Sequence, residues 1–531
     1  MSRLIVVSNR VTAPESPGEA QAGGLAVALA GALKRYSGFW FGWSGETVEE
    51  FTGELHRAVV DDVGVVTLDL EEADFQEYYN GYANGALWPL FHYRIDLTHY
   101  DRSFSKGYDR VNRRFAEALA PLIEPGDLIW VHDYHLIPLG RELRRLGITN
   151  PIGFFLHIPW PAPQLLTTLP SHRQLVESLF SYNLVGFQSE DWLWAFEAYV
   201  LGEARGRWAV DGRLDAFGTV LRAQVFPIGL DVEAFMELSR SPAATLAYDR
   251  MVANTAFRNL IVGVDRLDYS KGLEERLLGF ERFLEDNPQH RRQVLYLQVA
   301  PTSRGEVEAY QDLRARIDAL AGRINGSFSE MDWEPIRYVH QSYNRDELAG
   351  VYRAARVCLV TPLRDGMNLV AKEFIAAQDP YDPGVLVLSR FAGAARQMSE
   401  AVIVNPFSRE ETAEAIKKAL AMERTERVAR WKSLLSGVKR NDVTAWRDAF
   451  VEALRASHEP RLPLFDSPTR SIIREAHESH EPGETGGVQV QAGLPADAGA
   501  PRGAASGALR QVRGTSRPRR RRTPAVRHPE A

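Results

Sequence analysis

Short apolar, β-branched runs alternate with stretches of helical period from Leu4 to about Ala456, the pattern of βαβ units built around parallel sheets. Two such series are visible. The first predicts strands over residues 4–8, 128–132, 152–157 and 184–187, separated by amphipathic helices that include 111–122 and 192–201. The second restarts at 260–265 and continues through 294–300, 336–340, 357–361 and 385–389. Between them, Pro227-Ile228-Gly229 followed by Asp231-Val232-Glu233 predicts a strand end, a turn and a helix start, and so a hinge. Residues 425–456 are helical by pattern and carry Trp431 and Trp446 among charged side chains, as closing helices would.

At 531 residues the chain exceeds the roughly 250 to 300 at which one hydrophobic core stops growing. Two α/β domains with a cleft between them are therefore expected. A hydrophobic share of 45% and a charged share of 25% are those of a globular protein, and no apolar run approaches the roughly 20 residues that span a bilayer. The opening MSRLIVVSNR lacks a long apolar leader and a small-residue cleavage site, so it reads as a first strand of a cytoplasmic protein. The single cysteine, Cys358, rules out an intrachain disulfide framework, and its apolar setting predicts a buried, inert thiol. The net charge of −6 is uneven: nine arginines and one acid from Arg502 onward give a tail of +8 and leave −14 for the rest. From about Pro463 the composition turns to Gly, Pro, Ala, Ser and Glu, too poor in apolar surface to offset chain entropy. Residues 463–531 are expected to be a disordered, arginine-rich tail, either a solvated appendage or a weak binder of polyanions.

In parallel sheets functional groups gather at the carboxyl ends of strands, beside the N-termini of the next helices. After the first strand come Asn9 and Arg10, then a polar loop reaching Ala22-Gly23-Gly24-Leu25 before an amphipathic helix. A glycine pair there lets the backbone approach an anion at the positive end of the helix dipole; it serves equally as a tight turn. Strand 128–132 runs into His132-Asp133-Tyr-His135, and strand 152–157 into His157-Ile-Pro159-Trp-Pro161. Imidazoles and an acid at adjacent strand ends suit hydrogen bonds to sugar hydroxyls. They lack metal-site spacing, so no metal is expected, while purely structural roles for His132 and His135 stay open.

The second series is more pointed. In Asp265-Arg266-Leu-Asp268-Tyr-Ser-Lys271-Gly272, Arg266 and Lys271 flank a strand end and a helix start. A planar fork beside a point charge suits a diphosphate; the alternative is a solvated surface pair. Pro301-Thr-Ser-Arg304-Gly305 offers one arginine to a second phosphate. In Thr361-Pro-Leu-Arg-Asp365-Gly366-Met-Asn368-Leu-Val-Ala-Lys-Glu373, an acid and a glycine turn precede a helix whose first amides would face a phosphate. Glu373 lies about one and a half turns beyond Asn368, within reach of ribose hydroxyls, and Asp365 also suits a plain helix cap. Two cationic phosphate sites with acids and histidines between them describe a diphosphate donor and a monophosphate acceptor joined in a transfer reaction.

These residues resemble glycosyltransferase family 20, from Ser2 to about Ala456. The likeness rests on Val7-Ser-Asn-Arg10, Ala22-Gly-Gly-Leu25, Phe41-Gly-Trp-Ser-Gly-Glu46, Trp130-Val-His-Asp-Tyr-His135, Gly153-Phe-Phe-Leu-His-Ile-Pro159, Asp265-Arg-Leu-Asp-Tyr-Ser-Lys-Gly272 and the Thr361 to Glu373 run above. The resemblance implies a GT-B fold of two Rossmann-like domains facing each other across a cleft. The acceptor-side domain would span 1–228, closed by a C-terminal helix over 440–456, and the nucleotide-sugar domain 229–440. It also implies retaining, metal-independent and cofactor-free transfer of glucose from a nucleoside-diphosphate glucose, UDP-glucose before others, to glucose 6-phosphate, giving α,α-trehalose 6-phosphate. A homo-oligomer, dimer or tetramer, is implied, with no membrane partner and no nucleic acid beyond what the tail could bind.

By the same resemblance the donor is bound by Gly23, Gly24, Arg266, Lys271, Tyr343, Asp365, Leu369, Val370, Ala371, Lys372 and Glu373. The acceptor falls to Arg10, Tyr79, Trp88, Asp133 and Arg304, and anomer selectivity to Trp88 and Ile158. Catalysis falls to Asp133, His157, Arg266, Lys271 and Asp365, with His157 and Asp365 on the glucosyl hydroxyls. Tyr79 and Trp88 enter through the stretch from Glu77-Tyr-Tyr-Asn80 to Leu87-Trp-Pro89, and Trp160 stands where many relatives carry Phe. Two other readings share these residues: another phosphorylated acceptor such as glycerol 3-phosphate, or a non-catalytic sugar-phosphate sensor. A chain ending at Arg461 is expected to keep full turnover in a transfer assay; loss of turnover would give the tail a part in catalysis.

Overall fold

The computed structural model of the protein describes residues 3–11, 29, 33, 35–60, 62–302 and 308–457. Gly23, Gly24, Arg304 and the expected disordered tail over 463–531 lie outside the described residues. The first sheet collects β1 (Leu4–Arg10), β2 (Phe39–Val48), β3 (His56–Val60), β4 (Val63–Glu71), β5 (Leu128–His132), β6 (Ile152–Phe155), β7 (Leu184–Phe187), β8 (Arg207–Trp208), β9 (Leu214–Ala216) and β10 (Thr219–Val225). Their order is β3-β4-β2-β1-β5-β6-β7-β10-β9-β8. From β4 to β10 neighbouring strands are parallel, and antiparallel pairs attach β3 at one end and β9 and β8 at the other.

The second sheet holds β11 (Asn259–Val264), β12 (Val294–Val299), β13 (Ile336–Val339), β14 (Val357–Val360), β15 (Val385–Ser389) and β16 (Val402–Val404), all parallel, in the order β13-β12-β11-β14-β15-β16. Counted within its own series, that is the doubly wound order 3-2-1-4-5-6. The central strands are buried along their whole length, as in Val-Leu-Tyr-Leu-Gln-Val of β12, because helices cover both faces. Cys358 in β14 is fully buried, and burial pushes its thiol pKa up.

The second-series strands sit where the apolar runs predict them. In the first half the helix expected over 111–122 begins earlier: it runs Arg102–Leu119, with Asp101 accepting from the Ser103 N–H as its cap, and continues as a 3-10 turn over Ala120–Leu122. Strands β2 and β4 add to those expected. Between β4 and that helix, Phe75–Leu87 winds as a 13-residue π-helix, a form that ordinarily occurs as single-turn bulges at functional sites. Among the described residues no helix is long and apolar enough to cross a membrane.

At the hinge, Asp231 caps the helix Val232–Leu238 by accepting from the Ala234 N–H. The expected closing segment forms two helices, Arg424–Arg440 and Val443–Ala456. The second returns to the first sheet, where Phe450 stacks on Trp130 with ring centroids 4.5 Å apart and an interplanar angle of 12°. Gly153 and Gly186 make room for it: a Cβ on either would come within 2.8 and 2.9 Å of the Phe450 ring. The described residues consequently fall in one compact unit despite the two sheets. Phe450→Ala should destabilise the protein by about 3–5 kcal/mol, read from denaturant unfolding; an unchanged midpoint would show that this helix does not hold the halves together.

Candidate active site

Within the parallel part of each sheet strand order reverses once, between β1 and β5 and between β11 and β14, and a crevice is expected at the carboxyl ends beside each reversal. Arg10 ends β1, is exposed, and lies 5.8 Å from the Trp43 ring centroid. Gly45, at φ +101°, leaves the space its guanidinium occupies, since a Cβ there would fall 2.5 Å from Arg10 Nε. Tyr79, on the π-helix, stacks against Phe75 at 5.5 Å and against His135 at 5.8 Å. Trp88 is 5% exposed, with its ring 5.6 Å from Tyr134 and 4.2 Å from His92. Asp133, directly after β5, adopts φ +74° and ψ 168°, a region that residues other than glycine rarely enter. It accepts at Oδ1 from the His157 N–H at 3.2 Å.

His157 follows β6 and is half-buried; its Nε2 lies 3.0 Å from His132 Nδ1 and its Nδ1 lies 3.3 Å from Gln188 Nε2. Burial lowers its pKa to about 3, and burial together with the neighbouring ring takes His132 well below its ordinary value.

In the second crevice Lys271 closes the 3-10 turn Tyr269–Lys271, and its Nζ donates to Asp365 Oδ2 at 2.6 Å. Asn368, at φ +81°, caps the helix Leu369–Ala377 by accepting from the Ala371 N–H at 3.3 Å, and donates to Asp365 Oδ2 at 3.0 Å. Asp365 is therefore not the cap. Burial alone would raise its pKa; the Lys271 ammonium and the Asn368 amide outweigh that and lower it. Arg266, next to the buried Asp265, is exposed, and Tyr343 is 37% exposed. Leu369 and Val370 open the helix half-buried, ahead of Ala371, where first-turn amides lack intrahelical partners. Glu373 accepts from Arg345 Nη2 at 3.3 Å, and burial raises its pKa against that partner. Lys372 points away from this crevice: its buried ammonium donates to Ile228 O at 2.7 Å and Gln397 Oε1 at 2.8 Å, and burial lowers its pKa to about 7.

The two crevices meet. A Cβ on Gly366 would fall 1.8 Å from the His157 carbonyl oxygen and 3.0 Å from Ile158 Cα, so glycine lets the two loops pack backbone to backbone. Ile158 itself is 6% exposed. The Trp192 indole donates to Gly366 O at 3.3 Å, Arg364 lies 3.8 Å over the Tyr93 ring, and Arg396 Nε donates to Asp191 at 2.8 Å.

Three contributors carry no motif. Buried His92, whose pKa burial lowers to about 4, lies close enough to sense Asp268, Lys271 and Asp365. Arg276, 1% exposed, donates to Asp265 Oδ2 at 2.7 Å, Thr361 Oγ1 at 2.8 Å and Lys271 O at 3.1 Å, tying both strand ends of the crevice together. Gln188 is the third. A lone buried arginine or glutamine inside a helical or strand pattern gives a sequence reader no cue; the Arg276 side-chain partners Asp265 and Thr361 lie 11 and 85 residues away.

Lys271→Met tests the ion pair. The wild-type Asp365 pKa is lowered, so its contribution is present above the unfolded pKa and lost as pH falls through the folded one. Without the ammonium, burial raises that pKa and the variant loses stability as pH rises. Thermal midpoints should separate more at about pH 8 than at about pH 5; a separation independent of pH would contradict the pairing.

The family model of glycosyltransferase family 20 matches residues 2–456. Trehalose-6-phosphate synthase of Cronobacter sakazakii is 46% identical over 463 residues, covering 87% of this chain and 97% of that protein. A crystal structure of an α,α-trehalose-phosphate synthase (UDP-forming) from Burkholderia xenovorans in complex with glucose 6-phosphate matches with a TM-score of 0.82 at 48% identity, over 85% of this chain and 100% of that one. A structure from E. coli bound with UDP-2-fluoro glucose matches with a TM-score of 0.82 at 44% identity, over 87% and 100%.

Proposed function

This chain belongs to glycosyltransferase family 20, and on that premise we propose that it transfers glucose from UDP-glucose to glucose 6-phosphate, giving α,α-trehalose 6-phosphate and UDP. The fold is the GT-B arrangement of two parallel-sheet halves. The observation that carries the reading is the meeting of two strand-end crevices, one with Arg266, Lys271 and a helix N-terminus, the other with Arg10, Tyr79, Trp88 and Asp133.

In this account Arg266, Lys271 and the amides of Leu369 and Val370 hold the diphosphate, and Gly23 and Gly24 are assigned to the donor by the family resemblance alone. Glu373 takes the ribose hydroxyls, with Tyr343 and Ala371 completing that side, and Lys372 holds the helix from behind through Ile228 and Gln397. His157 and Asp365 hold the glucosyl ring. Arg10, Tyr79 and Arg304 grip the acceptor phosphate, Asp133 and Trp88 its sugar, and Trp88 with Ile158 set the anomer. The bond from the anomeric carbon to the diphosphate oxygen breaks as that carbon gains the acceptor oxygen on the same face. The acceptor's proton passes to the departing phosphate oxygen, so configuration is retained. Fixed cations and helix amides stabilise the leaving charge where it develops, and neither metal nor cofactor is part of the scheme. The working form is a homo-oligomer in the cytoplasm.

Product identification with glucose 6-phosphate and UDP-, GDP- or ADP-glucose, with and without chelator, tests the proposal. Chelator-resistant trehalose 6-phosphate from UDP-glucose is expected; no product with any donor would leave the sensor reading. Arg266→Ala should cost roughly 100- to 1000-fold in kcat with the fold intact, and wild-type turnover would refute the diphosphate assignment.

A further inference from the structure

Both ring nitrogens of His157 are engaged, and the chain of partners dictates which one carries the proton. Gln188 follows β7 and is 2% exposed. Its Oε1 accepts from the main-chain N–H of Ile228 at 2.9 Å. A main-chain N–H can only donate, so that bond orients the amide and turns its NH2 toward His157 Nδ1, 3.3 Å away. An NH2 also only donates. Nδ1 of His157 must then hold a lone pair, and the proton of the neutral ring sits on Nε2. That N–H donates to His132 Nδ1 at 3.0 Å, which places the His132 proton on its own Nε2. Burial, which lowers both pKa values, keeps the two rings neutral.

The anchor of this chain is the hinge. Ile228 offers its N–H to Gln188 and its carbonyl to Lys372 Nζ at 2.7 Å. Lys372 belongs to the helix Leu369–Ala377, which opens on the second crevice. A single linked row thus runs from the second half's helix, through the hinge, to a ring in the first half.

We propose that Gln188 is a positioning residue for the transfer reaction, carrying the geometry of the hinge onto His157 and fixing the tautomer whose Nδ1 presents a lone pair. The proposal deepens the reading of His157 as a donor-sugar contact and rests on it. A sugar hydroxyl meeting Nδ1 donates to it, sharing or replacing the Gln188 contact, which is the longer of the ring's two bonds. A substituent that only accepts finds no partner there.

Gln188→Glu separates this role from a structural one. The substitution keeps the side-chain length and an oxygen for the Ile228 N–H, but turns an acceptor toward Nδ1 and draws a proton onto it. Histidine ring-nitrogen NMR of the full chain, with His157 assigned by its loss in His157→Asn, reads the tautomer whether or not the donor is touched. At about pH 7 the wild-type His157 is expected to be protonated on Nε2 alone, and the variant on Nδ1. The kcat should fall roughly 10- to 100-fold, the range seen when a group that orients a functional histidine is lost, with KM for glucose 6-phosphate unchanged. Wild-type His157 protonated on Nδ1, or a variant with the wild-type tautomer, would overturn the assignment without a kinetic measurement. A moved proton with undiminished kcat would overturn the role in transfer, whereas failure of the proposed function would show as wild-type protein forming no trehalose 6-phosphate.

Discussion

The site depends on a constraint of chain topology. Parallel strands joined by right-handed crossovers must send their helices to one face or the other, and wherever the strand order reverses, the two neighbouring loops part and leave a crevice. Here that happens at β1/β5 and at β11/β14. The glycine contacts at Gly366 against His157 and Ile158 let the loop after β14 and the loop after β6, the strand next to β5, approach within backbone distance. The helix Val443–Ala456 returns to the first sheet through Phe450 and Trp446, which touch Trp130, Phe155 and His157. The same helix that closes the fold is therefore in contact with a ring at the meeting of the crevices.

Charge is organised locally against an acidic background. Cations of the second crevice stand beside acids: Lys271 with Asp365, Arg345 with Glu373, Arg276 with Asp265. Pairing makes burial of each charge tolerable, since an unpaired buried ion is strongly destabilising. Arg266 differs in remaining exposed. The other cations are held in place by ion pairs and hydrogen bonds, above all those of Arg276 to Thr361 and the Lys271 carbonyl.

The parallel sheets, the helix start at Asp231 and the strand-end positions of Arg10, Asp133, His157, Lys271 and Asp365 were legible because apolar period and strand-end placement are local signals. Strands β2 and β4 were not expected: β2 opens with Phe-Trp-Phe-Gly-Trp, where aromatic rings and a glycine obscure a two-residue period, and β4 is nearly all buried. The π-helix over Phe75–Leu87 has no spacing rule that sets it apart from an α-helix. Asp365 reads as a cap by its place before a helix, yet Asn368 takes that role, because the Lys271 ammonium holds the aspartate elsewhere. Gln188 was invisible for a different reason: its meaning lies in Ile228 and His157, 40 and 31 residues away.

The central claim is that two separate crevices bind two separate phosphates, one on each side of a transferring glucose. A crystal structure of the protein with UDP and glucose 6-phosphate bound together tests it most directly. The account predicts the diphosphate against Arg266, Lys271 and the start of the helix Leu369–Ala377, with the monophosphate some distance away against Arg10 and Tyr79. Both ligands seated in one crevice, or a diphosphate with no contact to Arg266 or Lys271, would contradict it.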